Sequence, residues 1–276
     1  MAIVGFASDE GVRRNGGRVG AAEGPPATRS ALASLAVHDD LRVVDHGDVV
    51  VDGGDLEGAQ RRLGEWIVAA RRDASLTVVL GGGHETAYGS YLGLGSPERL
   101  GILNLDAHFD LREADRPSSG TPFLQIAREC QSVGHEFRYA VVGISEQSNT
   151  TALFDRAREL GVRWVVDDAC QTVAEPLALV DELLDGVDGI YLTIDLDVLP
   201  AAVAPGVSAP AALGVPLPVV QAVCDAVADS GRLVHLDVAE LNPGLDVDGQ
   251  TARVAARLVH RVITRATAAR RARRAP

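Results

Sequence analysis

The stretch LGILNLDAHFDLR, Leu100–Arg112, holds a short apolar run that stops abruptly at a set of charged and imidazole side chains. Leu100–Leu105 is almost wholly apolar, and Asp106, His108 and Asp110 follow at once. A run that short and without polar alternation reads as a strand buried on both faces, the habit of parallel sheets. Polar chemistry placed just after such a strand lies at its carboxyl end, where parallel α/β folds bind ligands.

The pattern recurs outward in both directions. Ile3–Phe6, Leu41–Val44, Leu76–Leu80, Tyr139–Val142, Val162–Val166, Ile190–Ile194 and Leu233–Val238 are further apolar runs bounded by Gly, Asp or Asn. Helical spacing fills the gaps at Pro25–Leu35, Leu56–Arg71, Thr151–Leu160, Pro176–Leu184, Leu217–Ala228 and Gln250–Ala268. Strand–helix alternation throughout predicts an α/β fold on a parallel sheet of about eight strands. Periodicity alone leaves a closed barrel and an open sheet equally available. With no linker or change of composition, residues 1–276 are expected to form a single domain.

Composition narrows the chemistry. The 276 residues carry 38 acids against 26 bases, a formal charge of −12, and every base is arginine. A chain without lysine has no Schiff-base or P-loop lysine, and its acidity disfavours nucleic acid. The basic run Arg265–Arg274 is expected to be a solvated helix end. Cys130, Cys170 and Cys224 are too few and too scattered for a disulfide framework. The first ten residues lack a signal-peptide pattern, no apolar run reaches membrane-span length, and a cytoplasmic location is expected.

Four of the apolar runs end in reactive groups. Leu76–Leu80 leads into Gly81-Gly82-Gly83-His84-Glu85, Ile190–Ile194 into Asp195-Leu196-Asp197, and Leu233–Val238 into Glu240-Leu241-Asn242-Pro243. Asp106, His108 and Asp110, spaced two apart in an extended segment, are expected to share one face, as are Asp195 and Asp197. Four converging carboxylates repel one another unless cations lie between them, and two divalent metals supply the offsetting charge. Mixed carboxylate and imidazole donors suit Mn²⁺, and the absence of cysteine argues against a thiolate zinc site. Gly81–Gly83 is expected to let the chain turn so that His84 faces the metals. It lacks the G-x-G-x-x-G spacing of a phosphate loop, and D-x-D alone reads equally well as a turn cap. The remaining histidines, His38, His46, His135, His235 and His260, show no partner pattern.

At these motifs the sequence resembles the ureohydrolase (arginase/agmatinase) family, whose order and separations it keeps from about Gly20 to the C-terminal helix. Gly81–Leu92, Asp106–Arg112, Ser118–Phe123, Ser148–Thr150 and Asp197–Pro210 are most similar to the formimidoylglutamase branch. The resemblance implies a three-layer α/β/α sandwich with a mainly parallel sheet, which settles the barrel question. It implies two Mn²⁺ per chain and a homo-oligomer, trimer or hexamer. One metal would be held by His84, Asp106, Asp110 and Asp195, the other by Asp106, His108, Asp195 and Asp197. Arginases and agmatinases carry a proton-shuttling histidine where this chain has Ser119, a departure that disfavours both activities.

The implied reaction is hydrolysis of N-formimidoyl-L-glutamate to L-glutamate and formamide by hydroxide formed between the metals. Asp110 would carry the proton to the departing nitrogen, and Glu240 would pair with the amidine N–H groups. Arg112 would clamp a substrate carboxylate, although an ion pair with a neighbouring acid suits it equally well. Asn149 and Ser119 are further candidate substrate contacts. The rival readings are another ureohydrolase releasing urea, a mononuclear enzyme, and a catalytically silent binding protein on the same scaffold.

Overall fold

The computed structural model describes residues 1–38 and 41–274. Among these residues eight strands form one sheet: β1 Ala2–Ala7, β2 Val44–Val50, β3 Thr77–Leu80, β4 Leu100–Leu105, β5 Arg138–Ile144, β6 Arg163–Val166, β7 Gly189–Asp195 and β8 Leu233–Ala239. Their order is β2-β1-β3-β8-β7-β4-β5-β6, and every neighbouring pair is parallel. The strands that end in reactive groups, β3, β8, β7 and β4, are therefore contiguous in the sheet although far apart in sequence.

Parallel strands need crossovers, and the helices that supply them cover both faces. Among the described residues they are α1 Glu10–Arg14, α2 Gly24–Leu32, α3 Leu56–Ala70, α4 Thr86–Leu94, α5 Pro122–Ser132, α6 Thr151–Glu159, α7 Ala174–Asp185, α8 Leu217–Asp229 and α9 Gln250–Arg274. The alternation of β4 shows the layering. Leu103 and Leu105 pack with α7, α8 and α9, while Leu100 and Ile102 pack with α4, α5 and α6. Val4 and Phe6 of β1 join the apolar side of α3 in a third cluster. The result is the open α/β/α sandwich, its sheet parallel throughout rather than mainly.

Three local expectations are corrected. The second strand is Val44–Val50, not Leu41–Val44; it is an edge strand pairing only with β1, and its side chains, Val49 apart, are exposed, so no apolar run marks it. Helices α4 and α5 are absent from the expected segments: α4 is buried nearly all round and has no polar face, whereas α5 does carry a periodic apolar face of Phe123, Ile126, Ala127 and Cys130. The basic C-terminal run is pinned rather than simply solvated: Arg265 pairs with Asp229, and Arg270 donates to the Leu233 carbonyl. The three cysteines are buried and unpaired. Among the described residues no helix is long and apolar enough to cross a membrane.

Candidate metal centre and active site

The acids and imidazoles converge beyond the carboxyl ends of β3, β8, β7 and β4, as the strand pattern requires. The Nδ1 atom of His84 lies 3.1 Å from Asp106 Oδ2, 3.0 Å from Asp110 Oδ2 and 3.2 Å from Asp195 Oδ2. The His108 Nδ1 atom lies 3.1 Å from Asp197 Oδ2 and 3.4 Å from Asp106 Oδ1. His84, Asp106, Asp110 and Asp195 thus form one group of mutually close donor atoms, and Asp106, His108 and Asp197 a second. Asp106 belongs to both groups. Asp195 belongs only to the first, with its Oδ1 accepting the Asp197 N–H at 2.8 Å.

Local folding brings these groups together differently from a simple pleat. β4 ends at Leu105, and Asp110 sits in the left-handed region at φ +50°, so it reaches the cluster through a loop rather than by extended alternation. The loop is held by Asn149, whose Oδ1 accepts from Phe109 N at 3.1 Å and whose Nδ2 donates to the carbonyls of Ala107 and Ser145. Asn104, inside the apolar run, donates from Nδ2 to Asp106 Oδ2 at 2.9 Å. Asp197 returns to the site through a 3₁₀ turn over Leu196–Val198.

Gly81–Gly83 also works differently from the expectation. None of the three has a positive φ. Their small size permits close packing instead: a Cβ on Gly82 would lie 1.8 Å from the Ser8 carbonyl oxygen. His84 is then fixed at both ends. Its backbone N–H donates to Glu240 Oε1 at 2.8 Å, and its Nε2 meets Thr193 Oγ1 at 3.0 Å.

Electrostatics show that this arrangement calls for cations. Burial lifts Asp195 well above the usual carboxylate range, reinforced by the charges of Asp197 and Asp106. Burial and Asp106 likewise push Asp110 up to about 6. For Asp106 itself burial works upward, yet His108 and His84 outweigh it and hold the group low. Burial and the nearby Glu85 charge push Glu240 up to about 8. The Nδ1 of His84 is buried and makes no hydrogen bond despite three carboxylate oxygens around it. Burial works against a charge on His84, yet Asp106, Asp110 and Asp195 outweigh it and raise the group. A positive charge is therefore favoured at the point where a divalent cation would be coordinated by the Nδ1 lone pair and the three oxygens. Oxygen and imidazole donors without thiolate suit a divalent ion of intermediate hardness.

The cluster floors a cavity of about 290 Å³. Buried His84, Asp110, Asp195, Asp197 and Glu240 line its depth, and the exposed side chains of Arg112 and Arg18 line its mouth. Ser119 is on the wall, where its Oγ accepts from Asn15 Nδ2 at 3.2 Å. Arg112 donates from Nη1 to Asn15 Oδ1 at 3.2 Å and has no acid beside it among the described residues, so the ion-pair alternative falls away. Asn149 is not on the wall. Its amide oxygen and nitrogen hold the metal-site loop instead. Asn15 and Arg18 escaped the sequence reading: they lie in a Gly-rich turn without periodicity or a reactive motif.

The model of the "Arginase family" matches residues 1–264. The formimidoylglutamase of Nocardia farcinica is 60% identical over 269 residues, covering 95% of this chain and 86% of the relative. That of Rhodococcus jostii is 57% identical over 272 residues, with 95% and 85% covered. The Trypanosoma cruzi formiminoglutamase crystallised with Mn²⁺ superposes with a TM-score of 0.87 at 26% identity, over 96% of this chain and 92% of that one. Matched along nearly its whole length in sequence and in fold, this chain belongs to the arginase family.

Proposed function

We propose that the chain hydrolyses N-formimidoyl-L-glutamate to L-glutamate and formamide. The observation that carries the reading is the polarity of the cavity: buried acids and imidazoles at its floor, and guanidinium groups at its mouth. That gradient suits a substrate with a cationic amidine at one end and carboxylates at the other. The relatives named formimidoylglutamase, at 57–60% identity, support the same substrate.

His84, Asp106, Asp110 and Asp195 would hold one metal, and Asp106, His108, Asp195 and Asp197 the other, both assigned as Mn²⁺. Two bound Mn²⁺ ions act as Lewis acids that make water nucleophilic at neutral pH. Glu240 pairs with the amidine N–H groups and orients the formimidoyl carbon toward the floor. Water oxygen adds to that carbon, and the bond from the carbon to the glutamate nitrogen breaks. Asp110, on the cavity wall, passes a proton to the departing nitrogen, which leaves as the amine of glutamate. Formamide keeps the terminal nitrogen and the new oxygen. Arg112 holds a substrate carboxylate as a forked donor, and Ser119 keeps Asn15 against the wall. On this reading residues 1–276 are one catalytic domain of a cytoplasmic homo-oligomer, trimer or hexamer.

Product analysis of the Mn²⁺-loaded protein tests the reading, with agmatine and arginine run alongside. Equimolar glutamate and formamide, lost on chelation, are expected. Formylglutamate with ammonia would reverse the choice of leaving nitrogen, and urea from agmatine or arginine would overturn the substrate.

A further inference from the structure

The mouth of the cavity carries two cations, and only Arg112 has a role so far. Arg18 comes from the turn after α1 and is fixed there without any acid. Its Nε donates to the Ser208 carbonyl at 2.9 Å, and its Nη2 donates to the Val207 carbonyl at 2.8 Å. Its backbone N–H donates to Ser208 Oγ at 2.8 Å. The turn lies close against that loop because Gly16 takes φ +76° and a Cβ on Gly17 would meet Ser208 Oγ at 2.8 Å.

A guanidinium has five N–H donors, and two of these are occupied, so three remain, including both on Nη1. Backbone carbonyls orient the fork but leave its full charge uncompensated. Among the described residues no carboxylate lies at salt-bridge distance from either Arg18 or Arg112, in a chain where acids outnumber arginines 38 to 26. Two forks with open donors at the entrance to one small cavity form a preorganised receptor for two anionic groups.

We infer that Arg18 binds a second carboxylate of the substrate, so that Arg18 and Arg112 together select a dicarboxylate over a monocarboxylate. The inference rests on the proposed orientation with the amidine on Glu240. Formimidoylglutamate has two carboxylates, and each fork takes one. Agmatine, which has none, leaves both cations unmatched. The alternative is that Arg18 only fastens the turn to Val207 and Ser208, which would weaken all ligands alike.

Calorimetric titration of the Mn²⁺-loaded protein separates the two. The probes are L-glutamate, 4-aminobutyrate, which lacks the α-carboxylate, and L-2-aminobutyrate, which lacks the side-chain carboxylate. Arg18→Gln is expected to weaken L-glutamate binding roughly 10- to 100-fold, the usual effect of losing a charge-assisted pair. It should weaken only one of the two monocarboxylates, and Arg112→Gln should weaken the other. Arg18→Lys, which keeps the charge and loses the fork, should fall between wild type and Arg18→Gln. Equal weakening of all three probes, no weakening, or no glutamate binding by wild type would each overturn the inference. These titrations need no turnover. Failure of the formimidoylglutamate assay with Arg18-dependent glutamate binding intact would therefore discard the reaction and keep the receptor.

Discussion

Glu240 Oε1 accepts the backbone N–H of His84 at 2.8 Å, tying the end of β8 to the turn after β3 across 156 residues of sequence. The same carboxyl lines the cavity, so it serves the metal site through His84 and the substrate through the charge that a cationic amidine beside it would restore. Glu240→Gln keeps an oxygen for the His84 N–H and removes the charge. We expect kcat/KM to fall roughly 100- to 1000-fold with bound Mn²⁺ unchanged, the scale of losing one group aimed at developing charge. Glu240→Ala should lose metal as well. Steady-state kinetics beside elemental analysis of the dialysed proteins separate the two effects.

Thr193 should control metal affinity without touching the metals. Its hydroxyl meets His84 Nε2 at 3.0 Å and sets which ring nitrogen faces the carboxylates. Thr193→Val preserves the shape and removes the partner, and an outer contact of this kind contributes about 10- to 100-fold in affinity. Titration of the chelated protein with Mn²⁺ should show that loss. Thr193→Ser should restore most of it.

Asn149 gives a prediction of the opposite kind. Its amide makes three hydrogen bonds to the backbone of the metal-site loop and its flank. Asn149→Ala strands buried N–H and C=O groups, at about 1–3 kcal/mol for a group left unsatisfied. Urea unfolding should show the loss, and Mn²⁺ affinity should fall with it. At saturating Mn²⁺, KM for formimidoylglutamate should stay within about twofold of wild type, because the side chain is absent from the cavity wall. A rise in KM without loss of stability would return Asn149 to the substrate.

Acid should loosen the mouth of the cavity through Glu10. Its carboxyl is lowered to about 2, first by the hydrogen bond from Arg13 and then, against the opposing effect of burial, by Arg14. Arg14 in turn reaches Glu57 at 2.9 Å and the Pro117 carbonyl at 3.0 Å, which secures the segment leading to Asn15 and Arg18. Because the folded value lies below the ordinary 4.5, the unfolded chain binds the extra proton. The contribution is whole above pH 4.5 and is lost as the pH falls toward 2. Denaturant midpoints measured with chelator present should converge for wild type and Glu10→Gln over that interval, and differ above it.

The central architecture was legible because four strands at the middle of the sheet are each written twice, as an apolar run and as the reactive group that ends it. β3, β4, β7 and β8 all follow this rule. β2 does not, since VDHGDVV lies at the sheet edge, exposed but for Val49, and needs no apolar run. Helix α4 was hidden for the reverse reason, being buried on nearly every side. The convergence of Asp106, His108 and Asp110 was foreseen for the wrong reason: a left-handed Asp110 and the Asn149 clamp replace the pleat. Asn15 and Arg18 were invisible because their importance comes from neighbours that only the folded chain supplies, Ser119 and Arg112 for the first and Ser208 for the second.

The strand order has a consequence for when the site comes into being. Its floor is assembled from β3, β8, β7 and β4 side by side, and β8, near the C-terminal end of the sequence, is inserted between β3 and β7. A chain lacking β8 would have a gap at the middle of the sheet, with His84 and Asp195 on opposite banks and no Glu240. Loading with metal thus depends on the last strand of the sheet. Mn²⁺ uptake would then report completed folding, and an unfinished or truncated chain would have no formed centre to sequester the ion.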